Sequence, residues 1–319
     1  MTPLFHTVLY HGKGKHHNFF EGWYFKIVDK QHQNAFAFIP GVSLGKRGET
    51  PRAFVQFLSG EQESSHFFPF DMSMFRSDPR VFSVFVGPNH FHENGLEVNL
   101  QSQYNHIRGK ISFGPLFGWP QPWYSPGVMG PFSFVPFLEC NHGVVSMDHE
   151  LSGEVDINGK TYDFTGGRGY IEKDWGRSFP KAWVWMQSNS FDLPRTSLFL
   201  SIATIPWIGF RFTGFLCGFL LDGKLHRFAT YTGASLSVSF PSEEEVQVQI
   251  QKAKTQLRIH AKKQPGSELL SPVRGSMQGR INESLASTIH VHFLQNGRTM
   301  FDQEGKCAGL ENVGPLTPQ

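Results

Sequence analysis

Four carboxylates stand in strand-like, aromatic-rich text: Glu21 in EGWYFKI, Glu139 in FLECNHGVVSM, and Glu172 and Asp174 in GGRGYIEKDWGRSFPKAWVWMQSNS. A carboxyl beside aromatic rings loses hydration. Desolvation penalises its charged form, and it becomes a general acid near neutral pH. His142, three residues after Glu139, is of the type that exchanges protons in that range. Glu172, Asp174, Glu21, Glu139 and His142 are therefore the candidate catalytic residues. Alternation along a strand sorts their neighbours. Glu21, Trp23, Phe25 and Ile27 share one face, with Tyr24 and Lys26 on the other. Arg168, Tyr170, Glu172 and Asp174 share a face, with Ile171, Lys173 and Trp175 on the other. Trp183, Trp185, Gln187 and Asn189 form a third set. Trp23, Tyr24, Tyr170, Lys173, Trp175, Trp183, Trp185 and Gln187 are the candidate substrate-binding residues.

The competing reading is structural. The carboxylates could sit in ion pairs, Glu172 or Asp174 with Arg168, or Glu21 with Lys173. The Glu139–His142 cluster, with Asp148 and His149 beyond it, could equally be a polar hairpin. Cys140 near His142 suggests a thiol nucleophile or an inert buried cysteine. His90-x-His92 and His290-x-His292 each put two imidazoles on one strand face, but neither has a third ligand at a suitable spacing, so no metal is assigned. No GxSxG, HExxH, P-loop or Rossmann glycine pattern is present, and no cofactor is expected.

The elements that must position these residues read as all-β. The 319 residues include 32 Phe, seven Trp, seven Tyr, 33 Gly and 20 Pro, a composition that favours strands and turns. Charged residues make up 18% and the net charge is +2, which excludes a nucleic-acid footprint. Three scattered cysteines and the absence of a basic, then apolar, N-terminus predict a reducing, cytoplasmic setting. The apolar stretch Ser197–Leu221 is long enough to span a bilayer. Pro206, Arg211 and its glycines predict two buried strands instead, leaving peripheral membrane contact open. Asn94-Gly95, Asn158-Gly159, Asp222-Gly223 and Asn296-Gly297 predict two-residue hairpins. Glu243–Gln256 alternates with period two and reads as strand.

Three stretches recur in the same order. Glu21–Ile27 with Ala35–Val42 resembles Lys181–Ser188 with Ser197–Thr204. Leu96–Phe113 resembles Val246–Lys263. Gly153–Glu172 resembles Val291–Glu311. A duplication with its boundary near Gly176–Pro180 follows, giving β-domains 1–177 and 178–319. The segment Gly114–Leu138 has no counterpart in the second copy and reads as a lid or a plug. The charged segment Gly166–Asp174 falls at the seam of the copies, where its side chains could face a cavity.

Three motifs carry a resemblance: HNFFEGWYFKIVD (His17–Asp29), SPGVMGPFSFVPFLECNHGVVSMDHEL (Ser125–Leu151) and GGRGYIEKDWGRSFPKAWVWMQSNSF (Gly166–Phe191). In these the chain resembles the tocopherol cyclase family. The resemblance implies two tandem lipocalin-like antiparallel β-units. It also implies an isomerase-type reaction without a redox cofactor: protonation of a prenyl double bond, then attack by a phenol oxygen on the tertiary cation. Such chemistry needs an acid, aromatic faces for the cation and an acceptor for the phenol proton, a role that would suit His142. The expected ligand is a hydrophobic prenylquinol or other isoprenoid. The alternative is a non-catalytic carrier of a lipid. Oligomeric state is not legible.

Overall fold

The computed structural model describes residues 6–136, 138–207 and 210–316. Phe137, first in the FLECNHGVVSM cluster, and Ile208–Gly209 in the apolar stretch lie outside the described residues. The fold is all-β, with two antiparallel sheets of the tandem lipocalin-like type. The chain forms two compact units. The first contains Met1–Ser59, Ser64–Phe179 and Glu268–Ile281; the second contains Gly60–Glu63, Pro180–Ser267 and Asn282–Gln319. Glu268–Ile281 thus groups with the first unit, although it lies within the expected domain 178–319.

In the first sheet, the strands Ser64–Asp71, Arg52–Ser59, Ala35–Ser43 and Phe20–Val28 form a meander. Phe20–Val28 then pairs with Arg168–Gly176, which pairs with Cys140–Ile157, followed by His106–Phe113 and Gly95–Gln101. The second sheet repeats this order. Lys224–Ala229, Phe210–Leu221, Ser197–Trp207 and Trp183–Ser188 lead to Arg298–Val313, Ser276–Gln295, Thr255–Lys262 and Glu245–Lys252. In each sheet the opening strand of the unit pairs with its last long strand, so the repeated text folds into repeated topology. Ser197–Trp207 and Phe210–Leu221 are paired antiparallel strands, and no helix among the described residues is long and apolar enough to cross a membrane.

The alternating strands fold as their pattern dictates. Leu96, Val98 and Leu100 are buried while Glu97, Asn99 and Gln101 are exposed. Val246, Val248 and Ile250 face inward in Glu245–Lys252, with Gln247 and Gln249 exposed. The first core gathers Phe68 and Val55 from one end of its sheet and Val84 and Val86 from the other, so the sheet curls around a single core. Phe25 lies at its centre, 5.2 Å from Phe91 and 5.9 Å from Phe82 between ring centroids.

Asn158-Gly159, Asp222-Gly223 and Asn296-Gly297 form hairpin turns with positive φ at both positions. Asn94-Gly95 does not. His92 pairs with Gly95, so the loop is Glu93-Asn94. Gly95 is needed inside the strand, where an added Cβ would stand 2.3 Å from the Ile111 carbonyl oxygen. The strands Phe20–Val28 and Arg168–Gly176 differ from the alternating type, because they are buried on both faces. Polar side chains on such strands must find partners.

Candidate active site

The register between Phe20–Val28 and Arg168–Gly176 sets Glu21 opposite Trp175, Trp23 opposite Lys173 and Tyr24 opposite Glu172. Residues directly opposite share a face. The candidates therefore separate into two clusters, one on each side of the same strands, and both belong to the first unit.

The core-side cluster is a buried ion pair. Glu21 and Lys173 are both fully buried, and the Lys173 ammonium contacts the Glu21 carboxylate. The main-chain N–H of His11 donates to both Glu21 oxygens, at 3.0 and 2.9 Å. The ammonium also donates to the Leu9 carbonyl and to His11 Nδ1. It lies 4.7 Å from the Trp23 ring centroid and 5.0 Å from that of Trp175. The His11 ring stacks on Trp175 at 4.4 Å, and the Trp23 indole N–H donates to the Val8 carbonyl at 2.9 Å. The N-terminal segment Val8–His11 thus completes this cluster, a role that sequence reasoning missed. A non-periodic stretch before the first strand carries no signal for it. Burial pushes the Lys173 ammonium down to about 8, against the opposing pull of Glu21.

On the opposite side, four side chains form one contiguous array of hydrogen bonds and a charge contact. His142 lies across from Asp174 in the register, and Val144 across from Glu172. His142 Nδ1 is 2.8 Å from Asp174 Oδ1, and Nε2 is 3.5 Å from Glu172 Oε2. The Tyr170 hydroxyl donates to the same Glu172 oxygen at 2.6 Å. Burial, reinforced by the Glu172 charge, raises the Tyr170 phenol well above its ordinary range and keeps it a donor. Glu172 and Tyr170 are buried, whereas 23% of the Asp174 side chain is exposed, making it the most accessible carboxyl of the array. Tyr24 is buried on this same face.

Arg168 does not pair with Glu172 or Asp174. Its guanidinium forks onto Asp148, with Nε 2.9 Å from Oδ1, and reaches Glu150 at 3.6 Å. The Cys140 thiol lies 3.8 Å from Asp174 Oδ1. Burial and the Asp174 charge raise it well above its ordinary range, so it is protonated and not a ready nucleophile. Glu139 is half-buried, and its carbonyl accepts from the main-chain N–H groups of Arg177 and Ser178. Trp183, Trp185 and Gln187 belong to the second unit, where they are buried in Trp183–Ser188. The Trp183 indole N–H donates to Glu311 at 2.5 Å. Trp23 and Trp175 therefore serve the Lys173 side, and of the candidate aromatic residues Tyr24 and Tyr170 lie on the Glu172 face.

His142, Glu172 and Asp174 each offer a ligand atom, all within 4.8 Å of one another. They are the one group among the described residues with the composition to hold a metal. A cation there would take the place of the proton now shared by His142 and Asp174. His90 and His92 instead stack at 4.4 Å, with His90 Nε2 2.9 Å from the Ser83 hydroxyl.

His149 is a buried imidazole on the strand Cys140–Ile157. Its Nδ1 meets the Ser146 hydroxyl at 3.0 Å, and an added Cβ at Gly169 would stand 2.2 Å from its Nε2. Gly169→Ala is expected to cost about 1–3 kcal/mol through this clash. Burial, then the Arg168 charge, pushes His149 from 6.5 down to about 3. Between those values the unfolded chain binds a proton that the folded chain refuses, so stability falls as pH drops through the window. His149→Asn is expected to flatten that fall by up to about 1.4 kcal/mol per pH unit, read from urea midpoints on acidification.

Comparison with known proteins agrees with this architecture. Residues 89–314 match the family model described as tocopherol cyclase-like. The chain is 25% identical to the maize (Zea mays) "Tocopherol cyclase, chloroplastic" and 24% identical to the rice (Oryza sativa subsp. japonica) "Probable tocopherol cyclase, chloroplastic". Each match covers 70% of this chain and 58% of the relative, so the chain spans less than two thirds of either plant protein. Among solved structures, CghA superposes with a TM-score of 0.61 at 9% identity, covering 92% of this chain and 88% of CghA. The protein assigned as AttH from Nitrosomonas europaea gives 0.51 at 13% identity, covering 92% of each chain. Both share the fold. With the family model matched across most of its length, the chain belongs to the tocopherol cyclase-like family.

Proposed function

We propose that the protein is an isomerising cyclase in which Asp174 protonates a prenyl double bond of a phenol-bearing isoprenoid. The observation that carries this reading is the continuous array Asp174–His142–Glu172–Tyr170 in a member of this family. Asp174 in its acid form donates its proton, and the π electrons of the double bond form the new C–H bond. The tertiary cation is left on the neighbouring carbon. A charge-assisted hydrogen bond from His142 Nδ1 stabilises the Asp174 carboxylate left behind. Glu172, held by the Tyr170 hydroxyl, balances the imidazolium from its other nitrogen. The rings of Tyr24 and Tyr170 supply π-faces to the cation. The phenol oxygen adds to the cation, and its proton returns to the Asp174 carboxylate. Nothing is gained or lost overall, and no redox partner enters the balance.

The test is incubation of the purified chain with a panel of prenylated benzoquinols, followed by mass spectrometry and chromatography for a chromanol of unchanged mass. Ligand that binds saturably and is recovered wholly unchanged across the panel overturns the catalytic reading and leaves a carrier.

A further inference from the structure

We propose that the segment Gly114–Leu138 is a lipid-interface anchor that seats Trp123 and Tyr124 in the headgroup region of an anionic bilayer surface. Trp123 is 80% exposed and Tyr124 60% exposed. They are the two central residues of a turn closed by the Ser125 N–H on the Pro122 carbonyl at 2.9 Å, and their rings meet edge to face at 5.6 Å. Turn tips ordinarily carry Gly, Asn, Asp or Ser, and a Trp there keeps a large apolar surface in water. Trp and Tyr are the side chains that favour the boundary between water and lipid.

The base of the segment is fixed. Trp119 and Val128 are buried. The Phe117 N–H donates to the Asp148 carbonyl and the Met147 N–H to the Phe117 carbonyl, at 3.1 and 2.8 Å. The tip is therefore presented by a pinned loop. Gly114–Leu138 contains no Asp, Glu, Lys, Arg or His, so its insertion desolvates no ionised group.

Charge complementarity selects the occupant. Gln121 at the base of the tip donates to the Thr7 hydroxyl at 3.2 Å. A few residues beyond Thr7 the chain runs Lys13-Gly14-Lys15-His16-His17, exposed throughout and without an acid. Basic residues that follow in sequence the segment bonded to an uncharged aromatic loop fit an anionic membrane surface, each lysine adding attraction within a Debye length. Neither Trp123 nor Tyr124 is a residue of the acid array, so failure of the anchor leaves the proposed function untouched.

The experiment is co-flotation of the full chain with vesicles of phosphatidylcholine and phosphatidylserine, alongside quenching of tryptophan by brominated acyl chains. The expected result is co-flotation with quenching. The W123S/Y124S double variant is expected to bind at least about tenfold more weakly, with an unchanged thermal melt because both side chains are exposed. Lys13→Glu with Lys15→Glu is expected to weaken binding to the anionic vesicles and leave pure phosphatidylcholine vesicles unaffected. A native chain that stays with the unbound fraction overturns the proposal, as does a double variant that floats equally well. So does light scattering that reports a dimer in the native chain and a monomer in the double variant, since the tip would then dock on a second copy.

Discussion

Asp174→Asn is expected to lower turnover of a prenylated quinol by about a thousandfold while the protein stays folded. Asparagine keeps the shape of aspartate, and its carbonyl oxygen can still accept from His142 Nδ1, which now lies 2.8 Å from Asp174 Oδ1. What it cannot do is carry and release the proton. A group directly engaged in proton transfer typically contributes two to four decades of rate, and this change removes it alone. Glu172→Gln tests the assignment from the other side. Glu172 reaches His142 at 3.5 Å and is already engaged by the Tyr170 hydroxyl at 2.6 Å, so its role is to hold the imidazole and balance its charge. Its loss is expected to cost about tenfold to a hundredfold and to move the acidic limb of the pH–rate profile. Equal losses in both variants would sink the assignment of Asp174 as the acid, and a larger loss in Glu172→Gln would transfer the role. The measurement is single-turnover kinetics across pH with circular dichroism as the check on folding.

Strand parity already separated Tyr170, Glu172 and Asp174 from Lys173 and Trp175, and the register keeps that division. Parity alone does not say which face is the core when both are buried, as they are in Phe20–Val28 and Arg168–Gly176. Parity put Trp23 on the face of Glu21 and Trp175 on that of Lys173, and the register joins those two faces, so that both rings flank Lys173. Glu21 with Lys173 was legible as a candidate ion pair because each shares a strand face with a tryptophan, Trp23 or Trp175, where an unpaired charge is costly. The Arg168–Asp148 pair was not. It forms beside two register shifts, between Val144 and Ser146 and between Ser146 and His149, and a bulge breaks the alternation that a sequence reading relies on. The role of His11 was equally hidden, since it donates mainly from its main-chain N–H, which every residue type but proline possesses. The shared strand order of the two sheets was recoverable because hairpin-linked strands pair with their sequence neighbours, so repeated text gives repeated pairing.

Removing one member of the Glu21–Lys173 pair is expected to destabilise the protein by about 3–5 kcal/mol, and removing both together by much less than the sum. Both side chains are fully buried, so Lys173→Met leaves a carboxylate in an apolar core with only the His11 groups to satisfy it. Glu21→Gln leaves an ammonium held by the Leu9 carbonyl, His11 Nδ1 and two indole rings. Methionine matches much of the volume of the lysine stem, and glutamine keeps an acceptor for the His11 N–H. The double variant therefore removes both charges with little change in packing. Urea midpoints of the four proteins complete the cycle, and strictly additive losses would show that the pair is not coupled. The same cycle carries a pH signature. Lys173 sits at about 8 in the folded chain, below its ordinary 10.5. Between those values the unfolded chain binds more protons than the folded one, so the Lys173 contribution to stability grows as pH rises through the window. Native protein is expected to gain from this site up to about 1.4 kcal/mol per pH unit there, a gain absent in Lys173→Met. The sign matters more than the size. A surface ion pair would weaken as its lysine deprotonates, whereas a lysine held charged against burial becomes easier to keep inside once it is neutral.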